Sequence, residues 1–264
     1  MTLAKSPRYP IIDTVRGVAI LAMMAYHFGF DLSMQGYIVQ DLNHSLPWLV
    51  ARSLILSTFL LVSGFSLALA QHHTAPLHAA KQRWLRLGRI AGCAFLVSVG
   101  SYFMFPESWI FFGVLHFIVL ATMLCWFLAR HEKWLLPLAF VSLGLGLLYQ
   151  SATFNQPMLQ WLGMMTFKPI TEDYVPMLPW LGLIFIGLRL GLWASPNKLK
   201  ETLAKGKLVK ETLAKEKLAK WPLTITPPNT LKPVGFLGRH SLAVYMLHQP
   251  ILLGLLSAYG AIFR

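Results

Sequence analysis

The sequence predicts an all-α integral membrane protein, a bundle of about seven transmembrane helices with its N-terminus in the cytoplasm. Three observations carry this expectation. Hydrophobic residues make up 56% of the 264 residues and charged residues only 12%, against roughly 25% charged in a soluble domain. The apolar residues gather into stretches near the length that crosses a bilayer, about 17–25 residues. The cations fall mainly in alternate loops between those stretches. A net charge of +13 therefore reads as the basic side of a membrane protein and not as a nucleic-acid surface.

The expected spans are 11–32, 49–70, 88–105, 109–129, 134–150, 176–194 and 235–260. Lys5 and Arg8 precede the first, which is long, charged and lacks a small-residue cleavage site, so it reads as a retained helix. Lys81, Arg83, Arg86 and Arg89 follow the second span, and Arg130 and Lys133 follow the fourth. The fifth is the shortest. The apolar segment Met158–Phe167 is too short to cross and is expected at an interface. Nine lysines lie between the sixth and seventh spans. The intervening loops hold Lys168, with Arg52 at the start of the second span, beside Asp41, Glu107, Glu172 and Asp173. This alternation is the positive-inside pattern, and it favours an odd span count with an external C-terminus.

The chain reads as a single domain over 1–264 with a basic cytoplasmic helical loop at 195–232. Within that loop Lys-Glu-Thr-Leu-Ala-Lys occurs at 200–205 and again at 210–215. Lys198–Trp221 is helix-prone, either a solvated helix or a basic amphipathic one resting on anionic headgroups. Pro222, Pro227 and Pro228 then end it before the seventh span.

The first span carries the strongest functional signal. At 3.6 residues per turn, Arg16, Ile20, Met23, His27 and Asp31 form one stripe. A charge at the centre of a membrane helix costs about 2.5–3.5 kcal/mol on insertion scales, so a chain that keeps several is usually using them. With the N-terminus inside, His27 and Asp31 lie near the external end of this span. The same topology puts His44, His116, Asp173 and His248 in the outer layer. Asp13, Arg16, Arg189, Arg239 and His240 fall in the inner layer, with Arg83, Arg86 and Arg89 nearby.

Each position also has a plainer reading. An intramembrane histidine such as His116 or His248 often serves helix–helix hydrogen bonding. His44 sits in a loop that solvent can reach, and Asp13 can simply pair with Arg16. The arginines after the second span can serve as topology determinants alone. His27 differs because Asp31 lies one turn away, where a carboxylate can orient an imidazole for general-base work. No metal site is expected, since nothing matches paired-cysteine or His-Glu-x-x-His spacing. Cys93 and Cys125 read as packing residues. The small residues around Gly64 suit close helix packing better than nucleophilic catalysis.

Five blocks in order then carry a family likeness: Arg16-Gly-Val-Ala-Ile with Tyr26-His27, Phe59–Ala68, Gly113–Phe117, Asp173–Gly182, and Leu237–Pro250. Together the chain resembles the bacterial branch of the heparan-α-glucosaminide N-acetyltransferase catalytic-domain family. The ten residues between Arg16 and His27 also resemble membrane acyltransferases of the acyltransferase-3 type, which modify envelope sugars. The second likeness implies His27 as the acyl-transfer histidine. The first implies His44, before Pro47-Trp48, because the lysosomal enzyme's histidine lies in the first lumenal loop. That enzyme carries Asn at the position of His27. The family has more spans than the seven expected here.

The resemblance implies an acyl-CoA-dependent acyltransferase of the bacterial inner membrane, with acetyl-CoA as donor and an envelope carbohydrate hydroxyl or amine as acceptor. Arg16, Arg83, Arg239, His240 and His248 are then candidate donor-binding residues. His27, Asp31, His44 and His116 are candidate catalytic residues, with Asn43 or His116 facing the oxyanion. The ten intervening residues of the first span would cover about 15 Å, near the reach of a pantetheine arm. A homodimer is implied by resemblance alone. From the residues, a proton-coupled transporter or flippase using the His/Asp layer remains open, as does a subunit that only packs with partners.

Overall fold

The computed structural model describes residues 9–41, 45–71, 76–195 and 226–263. Among them the regular structure is helical: α1 Pro10–Met34, α2 Leu46–Gln71, α3 Pro76–Met104, α4 Val114–Leu128, α5 Glu132–Leu148, α6 Leu181–Trp193, α7 Lys232–Arg239 and α8 Ser241–Phe263. Each expected span thus contains an α-helix. Four segments, Pro10–Met34, Leu46–Ala70, Ala80–Met104 and Ser241–Ile262, are long and apolar enough to cross a membrane. Helix α4 has 15 residues and α6 has 13, short of the ~20 that a 30 Å hydrocarbon core asks for. Both start later than expected because irregular chain precedes them. The expected span 235–260 is two helices, divided at His240. The lysine-rich repeat, His44 and Asn43 lie outside the described residues.

Contacts divide the chain into two compact units, with the boundary inside α2 between Phe59 and Leu60. The terminal unit holds α1, the first half of α2, α7 and α8. Helix α1 opens on Pro10, whose missing N–H is harmless in a first turn, with Asp13 near the positive helix end. It closes where Gly36 takes φ 74°, a left-handed conformation that glycine adopts freely.

Helix α7 lies against α1 backbone to backbone. A Cβ on Gly17 would strike the Val234 carbonyl, and one on Gly238 would strike the Asp13 carbonyl. Gly235 faces Thr14 Oγ1 in the same way, at 3.3 Å from where its Cβ would stand. Small residues permit this approach, which suits helices packed in lipid.

The central unit holds α2 from Leu60 and α3 to α6. Its seam is also made of glycine. Gly64 of α2 meets the Ile184 carbonyl, while Gly187 and Gly191 of α6 meet the backbone of Leu61 and Phe65. Gly64 therefore serves helix packing. Helix α6 packs its other side on α5, where Gly182 faces the Ala139 carbonyl. Apolar side chains such as Phe95, Phe103, Phe140 and Leu147 remain exposed, the surface a bilayer would cover.

Candidate active site

Two polar centres emerge, one in each unit. In the terminal unit, His27 and Asp31 lie one turn apart on α1, so they share a face. Helix α8 answers them with consecutive residues. The His248 ring meets His27 edge-on, with centroids 5.0 Å apart and planes at 62°. Gln249 donates through Nε2 to Asp31 Oδ1 at 2.7 Å. Asp31 is 1% exposed and His248 6%. The Asp31 carboxylate, expected to orient His27, is thus held by an amide from another helix.

The tautomer of His248 follows from its partner. Its Nδ1 lies 2.7 Å from the Tyr245 carbonyl. A carbonyl only accepts, so Nδ1 carries the proton and the neutral ring keeps its lone pair on Nε2. The Tyr26 ring stands edge-on to His27 at 6.0 Å and to Trp48 at 5.6 Å. Trp48 Nε1 reaches Gln40 Oε1 at 3.4 Å, and Ser33 Oγ donates to the Gln40 carbonyl at 2.8 Å. Trp48 also lies over Gly29, where a Cβ would sit 3.0 Å from the indole. The chain leaving α1 is therefore fastened beside Tyr26 and Trp48 just before position 42.

At the other end of α1, Arg16 Nη1 lies 3.4 Å from Asp13 Oδ1 and 3.5 Å from the Gly238 carbonyl. The plainer reading of Arg16 and Asp13 as a pair is present in this geometry. The Gly238 contact adds a second role, because a cation at the C-terminal carbonyls of α7 complements the helix dipole. Arg239 and His240 are exposed. Both flank Phe236: the Arg239 guanidinium is 5.7 Å from that ring, and His240 stacks at 4.3 Å. His240 donates through Nδ1–H to the Phe236 carbonyl at 3.0 Å.

The centre in the central unit is a helix start. His116 Nδ1 accepts from the Gly113 N–H at 3.2 Å, so its proton sits on Nε2, facing Ser98 Oγ at 3.2 Å. Ser98 in turn donates to the Ile110 carbonyl at 2.6 Å. Asp173 Oδ2 accepts from the Val114 N–H at 2.9 Å. A Cβ on Gly113 would collide with that carboxylate. His116 and Asp173 together cap α4, which explains why the helix begins at 114. Glu172 accepts from Ser108 at 2.7 Å, and Tyr174 donates to the Gln160 carbonyl at 2.6 Å. Burial pushes the Tyr174 phenol up.

Arg83 is exposed and lies over the Trp126 ring at 5.8 Å, with Trp84 edge-on to the same indole at 5.3 Å. Arg189 approaches Glu132 at 3.9 Å. Of the sequence-derived candidates, then, His27, Asp31 and His248 come together, and His116 joins Asp173. Arg16 joins Asp13 and α7, while Arg239, His240 and Arg83 stay exposed.

Sequence reasoning gave no role to Gln249, Tyr245, Trp48 or Ser98. The signal for Gln249 and Ser98 was their polarity inside apolar stretches, where a polar group needs an internal partner.

The family model described as "Heparan-alpha-glucosaminide N-acetyltransferase, catalytic" matches residues 8–215. That range covers α1 to α6 and stops before α7 and α8. No curated protein and no solved structure matches the chain.

Proposed function

The chain belongs to the heparan-alpha-glucosaminide N-acetyltransferase catalytic family, and we propose that it transfers an acetyl group from cytoplasmic acetyl-CoA to an extracytoplasmic sugar hydroxyl or amine. Membership and the apolar helices make it an integral membrane acetyltransferase. The orientation and a count of seven spans rest on the alternation of cationic loops. With the N-terminus inside, the His27 end of α1 faces outward, in the cytoplasmic membrane of a bacterium.

One observation carries the proposal at the level of residues. His27 is held against a histidine whose tautomer is set by a backbone carbonyl, on the helix that also bears the buried Asp31. In the reaction, the acceptor oxygen or nitrogen attacks the thioester carbonyl and its proton passes to His27. The C–S bond breaks, and the coenzyme A thiolate leaves and takes up the proton. His27 can alternatively carry the acetyl group between the two partners. His44 is the second candidate base. In the terminal unit, exposed Arg239 and His240 suit the donor's phosphates. Arg83, in the central unit, is the alternative anion contact.

Substituting His27 and His44 by Ala separately, in membranes supplied with labelled acetyl-CoA, tests this. Loss of transfer in one variant names the base. Full activity in both removes the assignment.

A further inference from the structure

Helix α2 carries a cation on the face turned away from the bilayer. Arg52 stands six residues into Leu46–Gln71, about 9 Å along the axis from its start. Val50 and Leu54, two residues to either side, are 45% and 62% exposed, on the surface that lipid would cover. A step of two residues turns a helix by about 200°, so Arg52 lies on the face opposite both. With the N-terminus inside, this end of α2 is external, and a cation there runs against the positive-inside pattern.

That face of α2 meets α1. Trp48, one turn before Arg52, stands edge-on to Tyr26 at 5.6 Å and lies over Gly29. Arg52 is near enough for its charge to act on Tyr26, and the Tyr26 ring meets that of His27 at 6.0 Å. The exposed stripe of α1 runs through Val18, Leu21 and Phe28, and neither Tyr26 nor His27 lies on it. Guanidinium, phenol and imidazole thus follow one another from α2 to α1. Among the described residues none of the three makes a hydrogen bond or an ion pair, and none is fully enclosed. Asp31, one turn beyond His27, is held by Gln249. Polar groups at membrane depth without an internal partner face water or a ligand.

We propose that Arg52 reads an anionic group on the acceptor: the sugar that reaches His27 bears a carboxylate or a phosphate, which the guanidinium fork of Arg52 holds while the Tyr26 hydroxyl donates to it. This deepens, and rests on, the reading of His27 as the group that meets the acceptor. Arg52 is placed beside Tyr26 and not at the reacting atoms. It therefore decides which acceptor binds and takes no part in moving the proton or the acetyl group.

The test uses the full chain in nanodiscs and three labelled probes: glucose, glucuronate and glucose 6-phosphate. Equilibrium dialysis should show an anionic sugar bound more tightly than glucose, by about ten- to a hundredfold, the scale of a hydrogen bond between charged groups. The tighter of the two anionic probes names the group that Arg52 reads. Arg52→Gln should abolish the preference and leave glucose binding as it was. Arg52→Lys, which keeps the charge but not the fork, should keep part of it. In transfer from labelled acetyl-CoA, Arg52→Gln should raise the KM for the anionic acceptor by the same factor, with kcat and the donor KM unchanged. Equal binding of all three sugars by the unsubstituted protein, or a preference that survives Arg52→Gln, overturns the proposal. A preference lost in Arg52→Gln, in a protein that acetylates neither these sugars nor their amino counterparts, leaves the anion site standing and removes the reading of acetyl transfer.

Discussion

Gln249 on α8 donates to the carboxylate of Asp31 on α1 at 2.7 Å, across 218 positions of sequence. This bond lies in the terminal unit, and Asp31 is buried to 1% exposure. A hydrogen bond to a charged group contributes roughly 1.5–3 kcal/mol. Gln249→Leu should therefore lower stability by about that amount, while Gln249→Glu, which sets two carboxylates together, should cost more. Thermal unfolding in detergent, followed by size-exclusion recovery, measures both. A Leu variant as stable as the parent would mean that the bond does not hold α8 to α1.

The α1–α7 contact gives a second prediction. Gly238→Ala drives a methyl group into the Asp13 carbonyl and pushes α7 from α1, which loosens the Arg16 contact as well. Overpacking of this kind costs typically about 1–3 kcal/mol. Gly88→Ala is the control, since a Cβ there meets open space. It should be neutral or stabilising by up to about 1 kcal/mol. The comparison is made on yield and melting temperature.

His116 and Asp173 make the third case. Both cap α4, so Asp173→Ala should lower stability by about 0.5–2 kcal/mol, the scale of a lost helix cap. His116→Gln should leave more than a tenth of kcat. If His116 instead faces the oxyanion, kcat falls by about 100- to 1,000-fold with little change in stability. The ratio of the two effects decides.

Arg239 and Arg16 should separate. Arg239 is exposed beside Phe236, so Arg239→Gln should raise the donor KM severalfold, with an effect that shrinks at high salt. Arg16 is engaged with Asp13 and Gly238, so Arg16→Gln should mainly lower stability. An unchanged donor KM in Arg239→Gln would remove it from the phosphate site.

The helices were legible because apolar stretches of bilayer length have one outcome in lipid, where every backbone group must bond internally. Their ends were less so. Helix α4 starts at 114 and not near 109 because Asp173, 59 residues downstream, supplies a carboxylate to the Val114 N–H. At His240, which divides the expected last span, the contact is local, since its N–H is shared between the Phe236 and Leu237 carbonyls. Charge alternation gave an expected outer layer of His27, Asp31, His44, His116, Asp173 and His248, and of these the structure sets His248 beside His27 and His116 with Asp173 at the start of α4. Rotation about each helix axis could not be read in this way. Which face of α8 meets α1 depends on packing, so the Gln249 bond to Asp31 was not visible in the sequence.

The central claim is that His27 is the group through which acetyl transfer passes. The direct measurement is transfer of label from acetyl-CoA to an external sugar acceptor by His27→Ala and His44→Ala variants, each shown to be folded and inserted. A loss of kcat of at least about a hundredfold in His27→Ala, the scale of a lost general base, with most activity kept in His44→Ala, is the predicted result. Full activity in His27→Ala with loss in His44→Ala would contradict the claim.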